Sequence, residues 1–596
     1  MKIIPKPQET EIFEGEFRFA DCYKISDEYK NVKNYIKTFV EVVSDSQNEI
    51  IFKKDESFFD EEYTILLDEE IVITSKDERG AFRAATTLKQ LAFEKKVEKQ
   101  KIHDYPDIKN RGIMLDISRG KIPNIETLYE IVDILGDLKY NQLQLYMESF
   151  VFEYEHFLEY CKDTMPLTVK EITNLKEYCN SKFIELVPNQ NGFGHMGHWL
   201  KKDELKDLAI KREDEKPSAT INPLDERSLE LIDRIYSDLL PYFDSDFLNI
   251  GMDEPFELGM GQTKEACEKE GKGTIYVNYL NKVIDLARKK HNKTPMFWDD
   301  IVFKHSEKLC DIDKNGIFMT WGYEAEWPFK DRCRVLKENG LRFYTCPGTS
   351  TWGSVTGRFD NMLYNIDIAA NACVIYEGEG FLLTDWGDGG HPQFFVMSIL
   401  PYIYGAFSSW NYNGDKWVCE EKHAEHSHEA SMKQSSVVRD MEDYADRFIF
   451  KGKKLSRSLH RMANYYHIEN NEEYNGTCLW ADINRILYKQ FGEEIRINLE
   501  DYEMVEKYMQ NIMEKLNSLD RDTPYIEEAK CNCNMVIEFV RFLESLLKNE
   551  KDTELIKDIL ALKEEFSRLW DKKNHAVGKD IFIKKLDDIV KYIESI

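Results

Sequence analysis

Between residues 110 and 386 the sequence repeats one pattern eight times, and this repetition constrains the fold more than any other feature. Each repeat has a short apolar run, a polar junction and an amphipathic stretch with helical spacing. Eight such units over about 275 residues predict an α/β fold of the (β/α)8 TIM-barrel type. The apolar runs, predicted to be its parallel strands, are residues 112–118, 141–147, 183–189, 247–253, 295–301, 316–322, 341–347 and 380–386.

Two of the intervening stretches carry recognisable helix starts. In "NIETLYEIVDILGDLKY", Asn124 is placed to cap a helix whose apolar face includes Leu128 and Leu135. In "TVKEITNLKEYC", Thr168 and Glu171 have the spacing of a capping box. A doubly wound open sheet is the alternative arrangement, but it usually has a glycine-rich phosphate-binding turn after its first strand. The segment "DISRGKIP" lacks that pattern, so the barrel is favoured.

The segments on either side of the barrel have different patterns. Residues 1–105 combine strand-like runs such as "YTILLD" and "EIVITSK" with one helical stretch, "ERGAFRAATTLKQLAFEKK". They predict a small α+β accessory domain at the N-terminus. Residues 416–596 contain amphipathic stretches such as "ELIKDILALKEEFSRLW", and they predict a helical C-terminal domain. The barrel is therefore assigned to residues 106–415.

Charge and apolar patterning exclude several classes of protein. The 596-residue chain has a formal net charge of -29, which argues against nucleic acid or an anionic membrane as its partner. No apolar run approaches the ~20 residues that a membrane-spanning helix needs, and no apolar signal segment follows "MKIIPKPQET". The 12 cysteines lack paired spacing, as expected of reduced thiols. We therefore expect a cytoplasmic protein.

The C-terminal ends of the predicted strands, where such barrels place their chemistry, carry many polar and aromatic side chains. Strand 4 ends in two adjacent carboxylates, and four tryptophans follow strands 5 to 8 about one β/α unit apart. Aromatic rings stack on the apolar face of a pyranose while charged groups hold its hydroxyls, so this combination indicates a carbohydrate site. The candidates on the eight strands are Arg111, Asp116, Arg119, Tyr146, Glu148, His195, His198, Asp253, Glu254, Trp298, Asp299, Asp300, Trp321, Tyr323, Trp352, Asp385, Trp386 and Asp388.

The carboxylate pair on strand 4 suits one kind of glycoside hydrolysis. A glycosidase needs a protonated carboxyl group for the leaving oxygen and an anionic group for the anomeric carbon, usually from another strand. Adjacent residues of a regular strand point to opposite faces, so Asp253 and Glu254 reach one site only where the strand ends. Two acids there suit the substrate-assisted exception, in which the 2-acetamido oxygen of the substrate is the nucleophile. The alternative, with Asp253 capping the next helix and Glu254 solvated, stays open on these residues alone.

Several motifs carry a family resemblance over about residues 1–415. They are "ERGAFRAATTLKQL", "RGIMLDISRGKIP", "NGFGHMGHW", "NIGMDEPFELGMGQ", "MFWDDI" and "TDWGDGGHPQF". Together they resemble glycoside hydrolase family 20, the β-N-acetylhexosaminidases, and most closely the hexosaminidase D-like branch. The resemblance implies an exo-acting enzyme that releases terminal β-linked GalNAc or GlcNAc with retention and without a cofactor or metal. The commoner family pattern is His-x-Gly-Gly-Asp-Glu, and here Asn249 replaces the histidine and Met252 the second glycine.

Carried over position by position, the resemblance implies a role for each candidate. Asp253 is expected to hold the acetamido group, and Glu254 to act as the general acid/base. Tyr323 is expected to replace a family tyrosine after strand 7, where this chain has "CPGTSTW". Arg111 is expected to hold the 3- and 4-hydroxyls of the sugar, and Asp388 the 4- or 6-hydroxyl. The remaining substrate-binding positions are His195, which supports the acids, and the aromatic residues Trp298, Trp321, Trp352 and Trp386.

Two other classes of protein stay open on the sequence. A metal-dependent barrel hydrolase would use His195 and His198 with Asp116 and the strand 4 acids, although these histidines lie in a glycine-rich loop. A barrel that only binds amino sugars is the other alternative. The histidines of "CEEKHAEHSHEA", residues 419–430, are interpreted as part of a solvated loop. The sequence does not decide between GlcNAc and GalNAc, and it does not identify the aglycone. A homodimer through the C-terminal helices also stays open.

Overall fold

The computed structural model describes residues 3–214, 216, 218–412, 428–465, 476–489, 499–519 and 523–595. These residues form an N-terminal sheet domain, a parallel barrel and a group of C-terminal helices. The predicted boundary at 415/416 and most of the histidine-rich segment 419–430 lie in 413–427, outside the described residues.

The N-terminal domain is a mixed sheet covered by helices. Its longer helix starts at Asp77, whose side chain accepts hydrogen bonds from the backbone N–H groups of Arg79 and Gly80. Phe82 and Leu88 of this helix are buried in the same apolar cluster as the sheet residues. The strands are β1 (Glu9–Arg18), β2 (Cys22–Ile25), β3 (Glu41–Val42), β4 (Glu49–Lys54), β5 (Tyr63–Leu67), β6 (Ile71–Ser75) and β7 (Lys96–Asp104), in the order β1-β7-β5-β6-β4-β2-β3, and the helices are α1 (Lys30–Ile36) and α2 (Glu78–Phe93).

The next part of the chain forms the predicted barrel, and all eight strands lie where the sequence placed them. Neighbouring strands pair in parallel in the order β10-β9-β8-β15-β14-β13-β12-β11. A parallel bridge between Asn189 and Asn249 closes the barrel at its C-terminal end. The strands are β8 (Asn110–Asp116), β9 (Gln142–Tyr146), β10 (Glu185–Pro188), β11 (Phe247–Asn249), β12 (Thr294–Trp298), β13 (Ile317–Trp321), β14 (Arg342–Cys346) and β15 (Gly380–Asp385).

Helices follow the strands and pack around the barrel. Both predicted helix starts are confirmed, because Asn124 accepts from the N–H of Thr127 and the Thr168–Glu171 capping box is formed. The helices are α3 (Ile125–Asp137), α4 (Leu158–Cys161), α5 (Val169–Ser181), α6 (Gly197–Leu200), α7 (Glu226–Leu239), α8 (Lys264–Glu270), α9 (Lys272–Asp285), α10 (Asp300–Lys304), α11 (Phe329–Glu338), α12 (Phe359–Ile375) and α13 (Ile399–Trp410).

A buried ionic network joins the N-terminal domain to the N-terminal end of the barrel. Both carboxylate oxygens of Glu61 accept from Nη2 of Arg111 at 2.9 Å, and Oε1 also accepts from Nε of Arg83 at 2.7 Å. Burial raises the pKa of Glu61, but the guanidinium groups of Arg111 and Arg83 lower it by more than burial raises it. The pKa of Glu61 therefore lies below its ordinary value. The guanidinium of Arg111 also lies 4.8 Å from the ring centre of Trp410, at the end of α13.

The C-terminal helices cover loops on the opposite, C-terminal face of the barrel. The backbone N–H of Val396 donates to Glu528, and that of Phe394 donates to Asn532, so the helix Pro524–Lys548 holds the loop after β15. The N–H of His575 donates to the carbonyl of Ile122 at 2.8 Å, in the loop after β8. None of the described helices is long and apolar enough to span a membrane. These helices are α14 (His428–Tyr444), α15 (Ser456–Met462), α16 (Gly476–Tyr488), α17 (Leu499–Asn517), α18 (Pro524–Lys548), α19 (Thr553–Lys573) and α20 (Lys579–Ser595).

Candidate active site

The chain turns sharply after β11, and this turn positions the carboxylate pair. Gly251, Met252 and Glu254 have φ angles of 70°, 79° and 46°. For the two non-glycine residues this left-handed conformation costs about 1–3 kcal/mol each, and the surrounding structure has to hold it in place. The N–H of Trp298 donates to the carbonyl of Gly251 at 2.9 Å, and the hydroxyl of Tyr276 donates to that of Met252 at 3.1 Å. The turn ends the alternation of a strand, so both acids face the same side chain.

That side chain is His195, which lies between three carboxylates. Its Nε2 is 3.2 Å from Oδ2 of Asp253 and 3.4 Å from Oε2 of Glu254, and its Nδ1 is 3.5 Å from Oε2 of Glu148. Burial lowers the pKa of His195, but Asp253, then Glu254 and Glu148, raise it well above its ordinary value. The imidazolium therefore forms ionic contacts with both acids of the pair and with Glu148. Gly194 permits this approach, since a Cβ there would lie 2.1 Å from the backbone oxygen of Asp253.

Asp253 has one carboxylate oxygen that the protein does not use. The residue is only 7% exposed, and its Oδ2 faces His195. Its Oδ1 is buried and has no hydrogen-bond partner among the residues that the structure describes. Leaving a buried acceptor unsatisfied costs about 1–3 kcal/mol. The arrangement therefore suits a donor that arrives with a ligand.

Asp300, the first residue of α10, is a further buried acid close to the pair. Within the described part of the chain, neither of its carboxyl oxygens has a hydrogen-bond partner, and Nζ of Lys304 lies 3.7 Å away. Burial, followed by the charge of Asp253, raises the pKa of Asp300 to about 7. Asp300 is therefore partly protonated near neutral pH, which reduces its repulsion of Asp253.

Arg119, just beyond the end of β8, supplies the guanidinium of the site. Its nitrogens lie 2.8 Å from Oδ2 of Asp116, 3.3 Å from Oε2 of Glu148 and 3.1 Å from Oδ1 of Asp388. Its guanidinium also stacks over the ring of Trp386, 4.9 Å from the centroid. The side chain of Asp388 is 50% exposed, so this acid and the arginine stand at the open side of the pocket. Such a cluster can both donate to and accept from sugar hydroxyls.

Arg111 does not belong to this site, and the prediction that it holds the sugar is wrong. It is the second residue of β8, and its side chain is buried against Glu61 at the other end of the barrel. The start and the end of a barrel strand face opposite ends of the barrel, so one residue at the start cannot reach a site at the C-terminal face. Arg119 takes the position that was expected of Arg111. The sequence signal that distinguishes the two arginines is their position, because Arg119 follows the strand and Arg111 is at its start.

The predicted tryptophans and Tyr323 form one aromatic cluster above the barrel interior. The ring centroids of Trp298 and Trp386 are 5.9 Å apart, Trp321 stacks on Tyr323 at 5.1 Å, and Trp352 meets Tyr323 edge-on at 4.9 Å. Nε1 of Trp386 donates to the hydroxyl of Tyr323 at 2.8 Å. Trp298 is 1% exposed and forms the floor of this cluster, whereas Trp321 and Trp352 are half-buried.

Glu148 and Tyr146 are site residues that the sequence analysis collected but did not assign a role. The hydroxyl of Tyr146 donates to Oε2 of Glu148 at 2.8 Å and accepts from the side-chain amide of Asn191 at 2.9 Å. Glu148 thereby links Arg119 to His195, because both lie within 3.5 Å of the same oxygen. The link depends on strands β8, β9 and β10 being neighbours, which the strand ends alone do not reveal.

The structure does not place His198 with the pair as a metal site would need. His198 is exposed on the short helix α6 and lines a neighbouring cavity, which Arg119 and Glu148 also line. Within the part of the chain that the structure describes, no group of three or more His, Cys, Asp or Glu side chains is arranged to hold a metal ion. The histidines expected to act with the strand 4 acids are therefore separated, with only His195 beside them.

A pair of arginine variants tests the reassignment. We expect Arg119→Met to lower kcat/KM by about 10- to 100-fold, because each charge-assisted hydrogen bond to a ligand contributes about 1.5–3 kcal/mol. Arg111→Met should instead lower the free energy of unfolding by about 3–5 kcal/mol, because it leaves a buried charge with fewer partners. Steady-state kinetics and denaturant unfolding of both variants measure the two effects. The reverse result, with Arg111→Met impairing the folded enzyme and Arg119→Met inactive only through unfolding, would restore the original assignment.

The barrel and the acids at its C-terminal face are those of a glycoside hydrolase, and comparison with known proteins identifies the family. The model for the glycosyl hydrolase family 20 catalytic domain matches residues 109–352, and the model for domain 2 of the same family matches residues 1–105. The two matches together cover more than half of the chain. The chain belongs to glycosyl hydrolase family 20, the β-N-acetylhexosaminidase family.

Individual relatives are distant. The chain is 24% identical to beta-hexosaminidase subunit beta of Entamoeba histolytica over 37% of its own length and 42% of the relative's. It is 26% identical to hexosaminidase D of Bos taurus over 32% of its length and 56% of the relative's. The chain thus spans about half the length of these curated relatives. The solved structure of the Flavobacterium johnsoniae chitobiase shares the fold with a TM-score of 0.58 at 16% identity, over 99% of both chains.

Proposed function

We propose that this protein hydrolyses terminal, non-reducing β-linked N-acetylhexosaminides, with both GlcNAc and GalNAc as candidate glycones. The observation that carries the proposal is the unused, buried Oδ1 of Asp253 beside Glu254. The amide N–H of a 2-acetamido group is a neutral donor that fits this oxygen. The names of the hexosaminidase relatives support the same substrate class.

In the proposed first step the substrate provides the nucleophile. Asp253 accepts the acetamido N–H and turns the amide oxygen towards the anomeric carbon. Glu254 gives a proton to the leaving oxygen as the bond from that oxygen to the anomeric carbon breaks and the bond from the amide oxygen forms. The products of this step are the aglycone alcohol and a bound oxazolinium ion.

In the second step Glu254, now a carboxylate, removes a proton from water, and the water oxygen attacks the anomeric carbon and opens the oxazolinium ring. Two inversions give net retention of the anomeric configuration. The hydroxyl of Tyr323 accepts from Trp386, so its own proton can be donated to the amide oxygen in the pocket. This contact fixes the amide oxygen beside the anomeric carbon.

The charge balance of the site suits this intermediate. The carboxylates of Asp116, Glu148, Asp253 and Asp388 outnumber the cations Arg119 and His195. A surplus of negative charge stabilises the positive charge that develops on the sugar and disfavours anionic substrates. It favours an uncharged amino sugar in its acetylated form over a sugar acid.

The same geometry orients the sugar ring. Carbon 1 of a pyranose must lie next to Glu254, and carbons 3 and 4 then point to the far side of the pocket. Arg119 and Asp388 are proposed to hold the hydroxyls there, since Arg119 contacts both Asp388 and Glu148, and Glu148 contacts His195. The Trp298, Trp321 and Trp386 rings are proposed to surround the acetamido methyl group and the ring face, with Trp352 at the margin.

A substrate series tests this function. We expect hydrolysis of the 4-nitrophenyl β-glycosides of GlcNAc and GalNAc to exceed that of the matched β-glucoside by at least about 1,000-fold, since the glucoside lacks the nucleophile. Replacing the acetyl group by mono-, di- and trifluoroacetyl should lower kcat stepwise, because fluorine weakens the amide oxygen as a nucleophile. Proton NMR should show the β-anomer as the first product.

Four results would count against the proposed function. Equal rates across the fluoroacetyl series would mean that the amide does not take part, and an α-anomeric first product would indicate single displacement. Loss of activity in EDTA with recovery in zinc would favour the metal-dependent alternative. Binding of N-acetylhexosamines without any turnover would leave the non-catalytic barrel.

A further inference from the structure

The loop after β15 carries Trp386 and Asp388 of the candidate active site, and its backbone is intrinsically free just beyond Asp388. The next two residues are Gly389 and Gly390, whose φ angles are 78° and 93°. Glycine reaches this left-handed region easily, and it loses more conformational entropy than any other residue when it is held there. Nε of Arg119 lies 3.1 Å from Oδ1 of Asp388, but this contact does not restrain the backbone that follows. Contacts from outside the loop have to do so.

The contacts that restrain this backbone come from the C-terminal helices. A Cβ on Gly389 would lie 3.0 Å from Nε1 of Trp480 and 3.1 Å from its Cζ2, so the edge of this indole in α16 lies directly against the glycine. A Cβ on Gly390 would lie 2.6 Å from Cγ2 of Ile581 in α20. The two residues that follow Asp388 are therefore both packed against helices outside the barrel.

Trp480 is itself held firmly by its other neighbours. It is 7% exposed, and its ring lies nearly parallel to that of Phe582, with an interplanar angle of 15°. Nζ of Lys585 lies 3.7 Å from the ring centroid of Trp480 and donates to Oδ1 of Asn484, one turn further along α16, at 2.5 Å. Tryptophan is the aromatic residue that attracts a cation most strongly. The α20 helix thus fixes the indole that meets the loop.

The other end of the same loop is also attached to the C-terminal helices. Asn532 of α18 is fully buried, and its Oδ1 accepts from the N–H of Phe394 at 3.3 Å. Its Nδ2 donates to the carbonyl of Val355, in the loop after β14, at 2.7 Å. Glu528, one turn earlier, accepts from the N–H of Val396 at 3.2 Å. The helices therefore hold the loop after β15 on both sides of its glycine pair.

From these contacts we propose that Trp480 is a positioning residue for Asp388. It acts through Gly389, whose backbone it restrains, and the carboxylate of Asp388 is thereby kept where a sugar hydroxyl meets it. The inference rests on the proposed function and deepens it, because it gives the C-terminal helices a part in the recognition of the sugar. The chemical steps of hydrolysis are unchanged.

The test is a double-mutant cycle on the full-length protein, with the 4-nitrophenyl N-acetyl-β-hexosaminide that is cleaved faster. We expect Asp388→Asn and Trp480→Ala each to lower kcat/KM by about 10- to 100-fold, since displacing a positioned group by about 1 Å can cost about 100-fold. The double variant should lie within about threefold of Asp388→Asn alone, because Trp480 acts through Asp388 and the two effects are not independent.

A comparison of KM with kcat separates positioning from a loss of stability. A contact to a hydroxyl remote from the reacting bond contributes to ground-state and transition-state binding alike, so its loss should appear mainly as a higher KM. A smaller folded fraction would lower the apparent kcat and leave KM unchanged. Phe542→Ala is the matched control, because this buried ring of α18 contacts Tyr592 of α20. It should lower the temperature of thermal unfolding and leave KM unchanged.

A second variant disturbs the same contact from the side of the loop. If thermal unfolding shows that Trp480→Ala does not fold, Gly389→Ala replaces it in the cycle, since its Cβ would press on the same indole edge. Losses that multiply in the double variant, or a wild-type KM in the folded single variant or in Asp388→Asn, would overturn the inference and leave the hydrolysis standing. A wild type that cleaves no N-acetylhexosaminide would overturn the proposed function as well.

Discussion

Glu254→Gln is expected to lower kcat for an N-acetylhexosaminide with an alcohol or sugar leaving group by about 100- to 10,000-fold, the range that general acid catalysis contributes. Glutamine keeps the shape of the side chain but cannot give a proton to the leaving oxygen or take one from water. The contact with His195, 3.4 Å away, is weakened at the same time. Steady-state rates on a chitobiose-type substrate, measured by release of the free amino sugar, determine the effect.

The leaving group provides the internal control for this prediction. A nitrophenolate or dinitrophenolate departs without protonation, so the first step with these substrates should be slowed far less in Glu254→Gln than with an alcohol. Glu257→Gln is the matched variant, since Glu257 lies three residues along and bonds Arg212 and Thr220 instead of the pocket. It should alter stability and leave the leaving-group dependence as in the wild type. Equal losses for all leaving groups in Glu254→Gln would assign the acid to another residue.

Asp253→Asn is expected to lower kcat on N-acetylated substrates by about 100- to 10,000-fold and to change KM much less. The reason is that the carboxylate helps most when positive charge spreads onto the amide nitrogen in the transition state, where its buried Oδ1 has the least competition from water. Asparagine removes that charge and also loses the ionic contact with His195 at 3.2 Å.

Two measurements separate this role from a structural one. Circular dichroism and thermal unfolding report whether the variant still folds. A thiazoline mimic of the oxazolinium should bind the wild type tightly and Asp253→Asn more weakly, whereas the free sugar should bind the two with similar affinity. Equal losses for the mimic and for the sugar would mean that Asp253 contributes ground-state binding only. A covalent ester between the sugar and a side chain would contradict the mechanism outright.

The sequence alone was sufficient to predict the barrel fold and which residues lie at the C-terminal ends of most strands. The reason is physical. The repeated strand–helix pattern allows few folds, and within a barrel the position of a residue along its strand determines which end it occupies. Tyr323 and the tryptophans after strands 5 to 8 were found in this way, and the structure brings them together. The same rule excludes Arg111 from the site, because it lies at the start of its strand and its resemblance to the family motif does not change that position.

The turn after the fourth barrel strand and the placement of the C-terminal helices depend on contacts between distant parts of the chain. The left-handed turn at Met252 is held by hydrogen bonds from Trp298 and Tyr276, which are distant in sequence. The local sequence therefore does not predict this turn. The turn also shortens the fourth barrel strand, which begins at Phe247 as predicted but ends at Asn249 and not at residue 253. The placement of the α19–α20 segment against the barrel loops follows from packing over more than 400 residues of sequence separation.

The buried contact between Glu61 and Arg111 determines where the chain can be truncated without loss of stability. A fragment starting near residue 106 would lack Glu61, and removing one partner of a buried ion pair destabilises a fold by about 3–5 kcal/mol. The N-terminal domain is therefore expected to stabilise the barrel, although it lies at the end of the barrel opposite the candidate active site.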